Sequence, residues 1–165
     1  TNELLTRMMK KSRNEKRRPS RRKLKIEVTD RQAVLQLPAE EIERVVRTVL
    51  EQEDAGGEIS VGVVDDDEIR RLNEKFLGRD GVTDVLSFPY ENDDREISGE
   101  IVVNAEVAAR QAAERSHTPE DETLLYVVHG LLHMLGYDDH KEDEAERMHS
   151  REVELLRRCG RDVTF

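Results

Sequence analysis

At 165 residues the chain can build one hydrophobic core and is short for two; 36% hydrophobic and 39% charged residues describe a thin core under a solvated surface. No apolar run approaches the roughly 18 residues of a membrane span, and no stretch has the apolar heart of a secretory signal, so a cytoplasmic protein is expected. The single Cys159 has no partner for an internal disulfide or a thiolate metal site, which leaves histidine and carboxylate as metal donors.

The net charge of −10 is unevenly spread. Residues 1–25 hold eleven Lys/Arg against Glu3 and Glu15, or +9, while the other 140 residues hold 16 against 35, or −19. A basic tail on an acidic body is either a solvated extension or a nucleic-acid contact, and the first is the simpler expectation. Residues 1–22 are therefore read as a basic, disordered extension and residues 23–165 as one folded domain.

In chain order, Lys23 to Thr29 (KLKIEVT) alternates polar and apolar residues as a half-buried strand does. Pro38 opens a helix from Ala39 to Gln52, with Ile42, Val45, Val46 and Val49 at helical spacing, and Gly56-Gly57 stops it. Ile59 to Val64 is a second strand. Asp65 to Asp67 supply the cap and first-turn acids of a helix running through Phe76, with Ile69, Leu72 and Phe76 expected on its inner face. After Gly78 and Gly81, Val82 to Phe88 (VTDVLSF) reads as a strand cut off by Pro89, a loop follows, and Gly99 introduces the strand EIVVN. Asn104 caps a helix over Glu106 to Arg115. Thr118-Pro119-Glu120 starts the next helix, from about Glu120 to Leu135, and Gly136 is its left-handed stop. An amphipathic helix from Glu142 to Arg158 closes an α+β domain of four strands in a mixed sheet, with a metal site at the end of its central helix.

That site begins with His129 and His133. Four residues apart on one helix, they stack on the same face with Cβ atoms about 5–6 Å apart, so two imidazoles can share one ion. Zinc, one ion per chain, suits such donors. After Gly136 the chain reverses and offers Asp138, Asp139 or His140 as a third ligand. The register H-x-x-x-H-x-x-G-x-x-H points to Asp139, and His140, one residue later, is the alternative. Three protein ligands leave a position for water, which marks a catalytic rather than a structural zinc. No side-chain acid or base is evident, so the catalytic assignment stops at that water.

A lone histidine pair is commonly incidental. Here three of five histidines and two aspartates fall within twelve residues around a helix-ending glycine, on an otherwise apolar helix, and the balance moves to a metal site. His117 and His149 lack such a setting and are expected on the surface. Gly130 stands where H-E-x-x-H peptidases carry their glutamate, which argues against a peptidase. A helical glycine costs ~1 kcal/mol relative to alanine, so either substrate or a packed element must approach closely there.

The segment HGLLHMLGYDDH, His129 to His140, resembles the H-G-x-L-H-x-x-G-Y-D-H signature of the YbeY family, bacterial endoribonucleases of ribosomal RNA maturation. VTDVLSFP, Val82 to Pro89, is similar to that family's T-D-V-L-S-F-P strand, with Leu72-Asn73 before it and GEIVV, Gly99 to Val103, after it. The resemblance spans about residues 60–158. It implies a zinc-dependent, single-strand endoribonuclease that processes small-subunit rRNA precursors and serves ribosome maturation and quality control, with RNA and the ribosomal small subunit as partners. The first two ligands fall on His129 and His133; the family's last histidine aligns without a gap to Asp139, while residue type points to His140. The family tends to carry an arginine before the glycine that is Gly78; this chain has Leu77 there, and Arg79 is the neighbouring cation for an RNA contact. The rival readings are a metallopeptidase-like zinc hydrolase and a non-catalytic ribosome-assembly factor with a metal site.

Overall fold

A computed structural model describes residues 22–90, 92–93 and 95–164. Of the expected basic extension, residues 1–21 lie outside the described residues. The elements are β1 (Leu24–Asp30), α1 (Ala39–Gln52), β2 (Gly56–Val64), α2 (Asp66–Leu77), β3 (Val85–Pro89), β4 (Glu96–Asn104), α3 (Ala105–Glu114), α4 (Pro119–Met134) and α5 (Glu142–Arg158).

The strands form one sheet in the order β1-β2-β4-β3. β1, β2 and β4 run parallel, and β3 joins the edge antiparallel, with Val85 opposite Val103 and Pro89 opposite Gly99. The sheet is mixed and the domain α+β, as expected. β2 and β4 are the interior strands. Gly57 and Gly99 are paired on both sides and Gly56 opens β2 opposite Glu96, so these glycines belong to the strands. Pro89, which lacks an N–H, is tolerated as the last residue of an edge strand.

Period-2 alternation splits each interior strand between two cores. Ile59, Val61, Ile97, Ile101 and Val103 face α1, α4 and α5, where they meet Val45, Val49, Leu124, Leu131 and Leu155. On the other face Val64, Leu86 and Val102 pack with Ile69 of α2. Each such aliphatic side chain contributes roughly 1.5–3 kcal/mol relative to remaining exposed. The inner-face reading of α2 fails at Phe76, which is 57% exposed. Ile69 and Leu72 already fill this small second core, and the Phe76 ring meets the edge strand through Phe88, centroid to centroid at 5.6 Å.

α4 is the central helix. Its N-terminus is a capping box in which the Thr118 hydroxyl accepts from the Asp121 N–H and the Asp121 carboxylate accepts from the Thr118 N–H. Apart from His129, every residue from Asp121 to Leu132 is buried, because a helix apolar on all sides is stable only when surrounded.

Candidate metal centre

Gly130 is where α4 meets the sheet. A Cβ built there would sit 3.0 Å from both Ile101 Cγ2 and Ser87 Oγ, so packing against β4 and β3 accounts for the glycine without a substrate. This close approach seats the helix deeply and leaves His129 and His133 at the helix surface, 23% and 32% exposed.

The outer nitrogens of the two rings are engaged. His129 Nδ1 lies 2.6 Å from Glu152 Oε1 on α5, and His133 Nδ1 lies 3.1 Å from the Tyr137 carbonyl oxygen. A carbonyl and a carboxylate only accept, so both Nδ1 atoms carry the proton and both Nε2 atoms present lone pairs. Those two Nε2 atoms face each other at 3.0 Å, and Asp139 Oδ2 stands 3.6 Å from one and 3.5 Å from the other. Three such donor atoms converging on one point could hold a cation between them. Two imidazole nitrogens and a carboxylate oxygen, all within 4.8 Å of one another, are a donor set that suits zinc. Glu152 would fix the tautomer and orientation of His129 in the way carboxylates orient zinc-bound histidines. Burial disfavours charge on His129, but its hydrogen bond to Glu152 and the charge of that carboxylate, with those of Asp139 and Asp84, outweigh it and hold the ring above the ordinary histidine pKa.

The turn after α4 decides which carboxylate arrives. Gly136 has φ 98°, Tyr137 N–H returns to the Leu132 carbonyl, and the Tyr137 hydroxyl donates to Glu53 at 2.8 Å beyond the end of α1. Arg151 of α5 also bonds Glu53, so the turn is held from two sides. Asp139 projects toward the imidazoles. His140 is turned away: its side chain is 85% exposed and bonds Asp138, whose carboxylate also accepts from the main-chain N–H groups of Asp139 and His140.

His129 forms part of the wall of a cleft of about 420 Å³, which is also lined by Asp84, Arg115, Tyr126, His149 and Glu152. His149, expected on the surface, is 46% exposed within this cleft, with Nδ1 3.4 Å from the second oxygen of Glu152. The same expectation fails outright for His117, whose side chain is 1% exposed. It sits just before the Thr118 cap, folds under the first turn of α4, and bonds the fully buried Glu122. Burial, and then the charge of Glu122, push the Tyr126 phenol well above its usual pKa and keep it protonated. Arg79 is exposed just beyond α2 and is not among the residues lining the cleft.

Glu152 went unread in the sequence, although a signal for it exists. The buried residues of α5 are Met148, Glu152, Leu155 and Leu156, an i, i+4, i+7, i+8 stripe in which one position is a carboxylate. An acid on the apolar stripe of an amphipathic helix needs a partner, and its partner here is an imidazole.

The chain is similar to known proteins over most of its length. The family model described as Endoribonuclease YbeY matches residues 5–160. The endoribonuclease YbeY of Halorhodospira halophila is 41% identical over 128 residues, covering 74% of this chain and 83% of that one. The chloroplastic endoribonuclease YBEY of Arabidopsis thaliana is 46% identical over 112 residues, 63% of this chain and 19% of the longer plant protein. A solution structure of TM1509 from Thermotoga maritima superposes with a TM-score of 0.59 at 28% identity, covering 81% of this chain and 90% of that one. With a family match over nearly the whole length and relatives at this identity, the chain belongs to the endoribonuclease YbeY family.

Proposed function

We propose that this chain is a zinc-dependent, single-strand endoribonuclease that acts on small-subunit rRNA precursors in the cytoplasm, in ribosome maturation and quality control. The observation that carries the reading is the convergence of His129 Nε2, His133 Nε2 and Asp139 Oδ2 within 4.8 Å of one another, at a site that meets a cleft through His129, in a member of an endoribonuclease family. His129, His133 and Asp139 would hold the ion, one per chain. A zinc ion bound by three protein groups supplies Lewis acidity to a phosphoryl oxygen and acidifies water at its open position. The chain's own residues do the rest. Glu152 and the Tyr137 carbonyl lock both imidazoles in the Nδ1–H tautomer, so each Nε2 lone pair faces inward without reorganisation. Asp139 would add a negative charge to the donor set, which a three-histidine site would lack. Val82, Val107 and Leu125 give the cleft apolar walls that reduce competing solvation.

Gly130 at the position of a peptidase glutamate, filled against by Ser87 and Ile101, speaks against the metallopeptidase alternative. The test is cleavage of a single-stranded oligoribonucleotide by the purified chain before chelation, after it, and after zinc add-back. Loss and recovery of activity, absent in a folded His133→Ala variant, is expected. Cleavage that survives chelation removes the metal from the reaction, and cleavage unchanged in the folded variant favours the assembly-factor alternative.

A further inference from the structure

We propose that Arg115 binds a backbone phosphate of the RNA strand beside the metal centre, an assignment that rests on the endoribonuclease reading. The described part of the chain is acidic, and the cleft repeats that bias: Asp84 and Glu152 both line it. Arg115 is the one guanidinium or ammonium group among the described residues of its lining, which it shares with His129. A polyanion entering this cleft is repelled by two walls and attracted by one.

Arg115 is also built into its place. It is the residue that ends α3, in extended conformation, and its Nη1 donates to Glu122 Oε1 at 2.6 Å. Glu122 is fully buried, and its other oxygen is taken by His117. The Thr164 N–H donates to His117 Nδ1 at 3.4 Å, which holds the ring in place against Glu122. Arg115 then supplies the charge that compensates the buried carboxylate. The guanidinium is anchored from below while 32% of its side chain remains exposed. An arginine held in one rotamer loses little entropy on binding, and its planar fork matches a phosphate. The wall thus offers an anchored, partly exposed guanidinium, and a phosphate is the acceptor that fits it.

The experiment measures binding of a labelled, short single-stranded oligoribonucleotide to the chelator-treated full chain across a salt series, so cleavage does not enter. Arg115→Gln is expected to bind roughly 10-fold more weakly, as loss of one charge-assisted hydrogen bond implies. Its plot of log affinity against log salt should be shallower by about 0.7, the value for one phosphate on a single strand. Arg115→Lys keeps a partner for Glu122 and the charge but not the fork; the parent's slope with intermediate affinity is expected. Both variants binding like the parent overturn the assignment. Should the glutamine variant fail to unfold cooperatively, the lysine variant decides alone, and affinity equal to the parent's overturns it. A parent that binds no oligoribonucleotide overturns both Arg115's role and the RNA reading, whereas a binding parent with unchanged variants overturns Arg115's role alone.

Discussion

Replacing Glu152 tests the candidate metal centre from the side that does not touch the ion. The carboxylate is 1% exposed and accepts from His129 Nδ1 at 2.6 Å, so Glu152→Ala leaves an imidazole N–H facing a cavity rather than solvent. A hydrogen bond to a charged group is worth about 1.5–3 kcal/mol. Removing the outer partner of a zinc-bound histidine typically weakens metal binding about 10–100-fold, or ~1.4–2.7 kcal/mol, and the two ranges agree. The expected result for Glu152→Ala is therefore a zinc dissociation constant toward the upper end, about 100-fold above the parent's. Glu152→Gln retains an acceptor oxygen and nearly the same volume but loses the charge, and should lie near the lower end, about 10-fold. Competition against a chelator of known affinity measures both, on proteins whose folding is verified by thermal unfolding. A folded Glu152→Ala variant that binds zinc within about threefold of the parent would refute the reasoning, because it would mean that the orientation of His129 contributes nothing to the site.

Three further outcomes are expected. Asp139→Ala should abolish stoichiometric zinc binding while His140→Ala leaves it intact, read by metal analysis after dialysis; the reverse would mean that the turn rearranges on metal uptake. Gly136→Ala places a side chain at φ 98°, where space is open but the conformation is strained, and should cost about 1–2 kcal/mol in denaturant unfolding while weakening zinc binding through the displaced turn. Arg110 holds the Asp66 carboxyl below its usual pKa, chiefly through their hydrogen bond. A carboxylate whose folded pKa is depressed stabilises above its unfolded value, near 4, and loses that contribution as the pH falls through the folded value. Arg110→Ala should thus lower stability at neutral pH by no more than about 1 kcal/mol, the guanidinium being half exposed, and the gap should close in acid. A gap that persists in acid would assign the loss to packing.

Local periodicity carries as far as local geometry does. The boundaries of α1 and α5, the caps at Asn104 and Thr118, and the shared face of His129 and His133 follow from residue spacing, because a helix places i and i+4 together whatever surrounds it. Phe76 shows the limit. Its spacing suits an inner face, but whether a face is covered depends on how far the neighbouring layer extends.

The sequence by itself determined the α+β class, the central helix and two imidazoles on one face of it. Only the tertiary structure shows that Asp139 faces the two imidazoles while His140 points to solvent, since one residue more or less in a turn reverses the direction of a side chain, and that turn is held by Glu53 beyond α1 and Arg151 from α5. It also brought Glu152 to His129 across 23 residues, and buried His117 on Glu122 beneath Arg115. These pairings join α5 and the α3–α4 connection to α4, and no spacing along the chain encodes which helices pack together; packing of the apolar faces does.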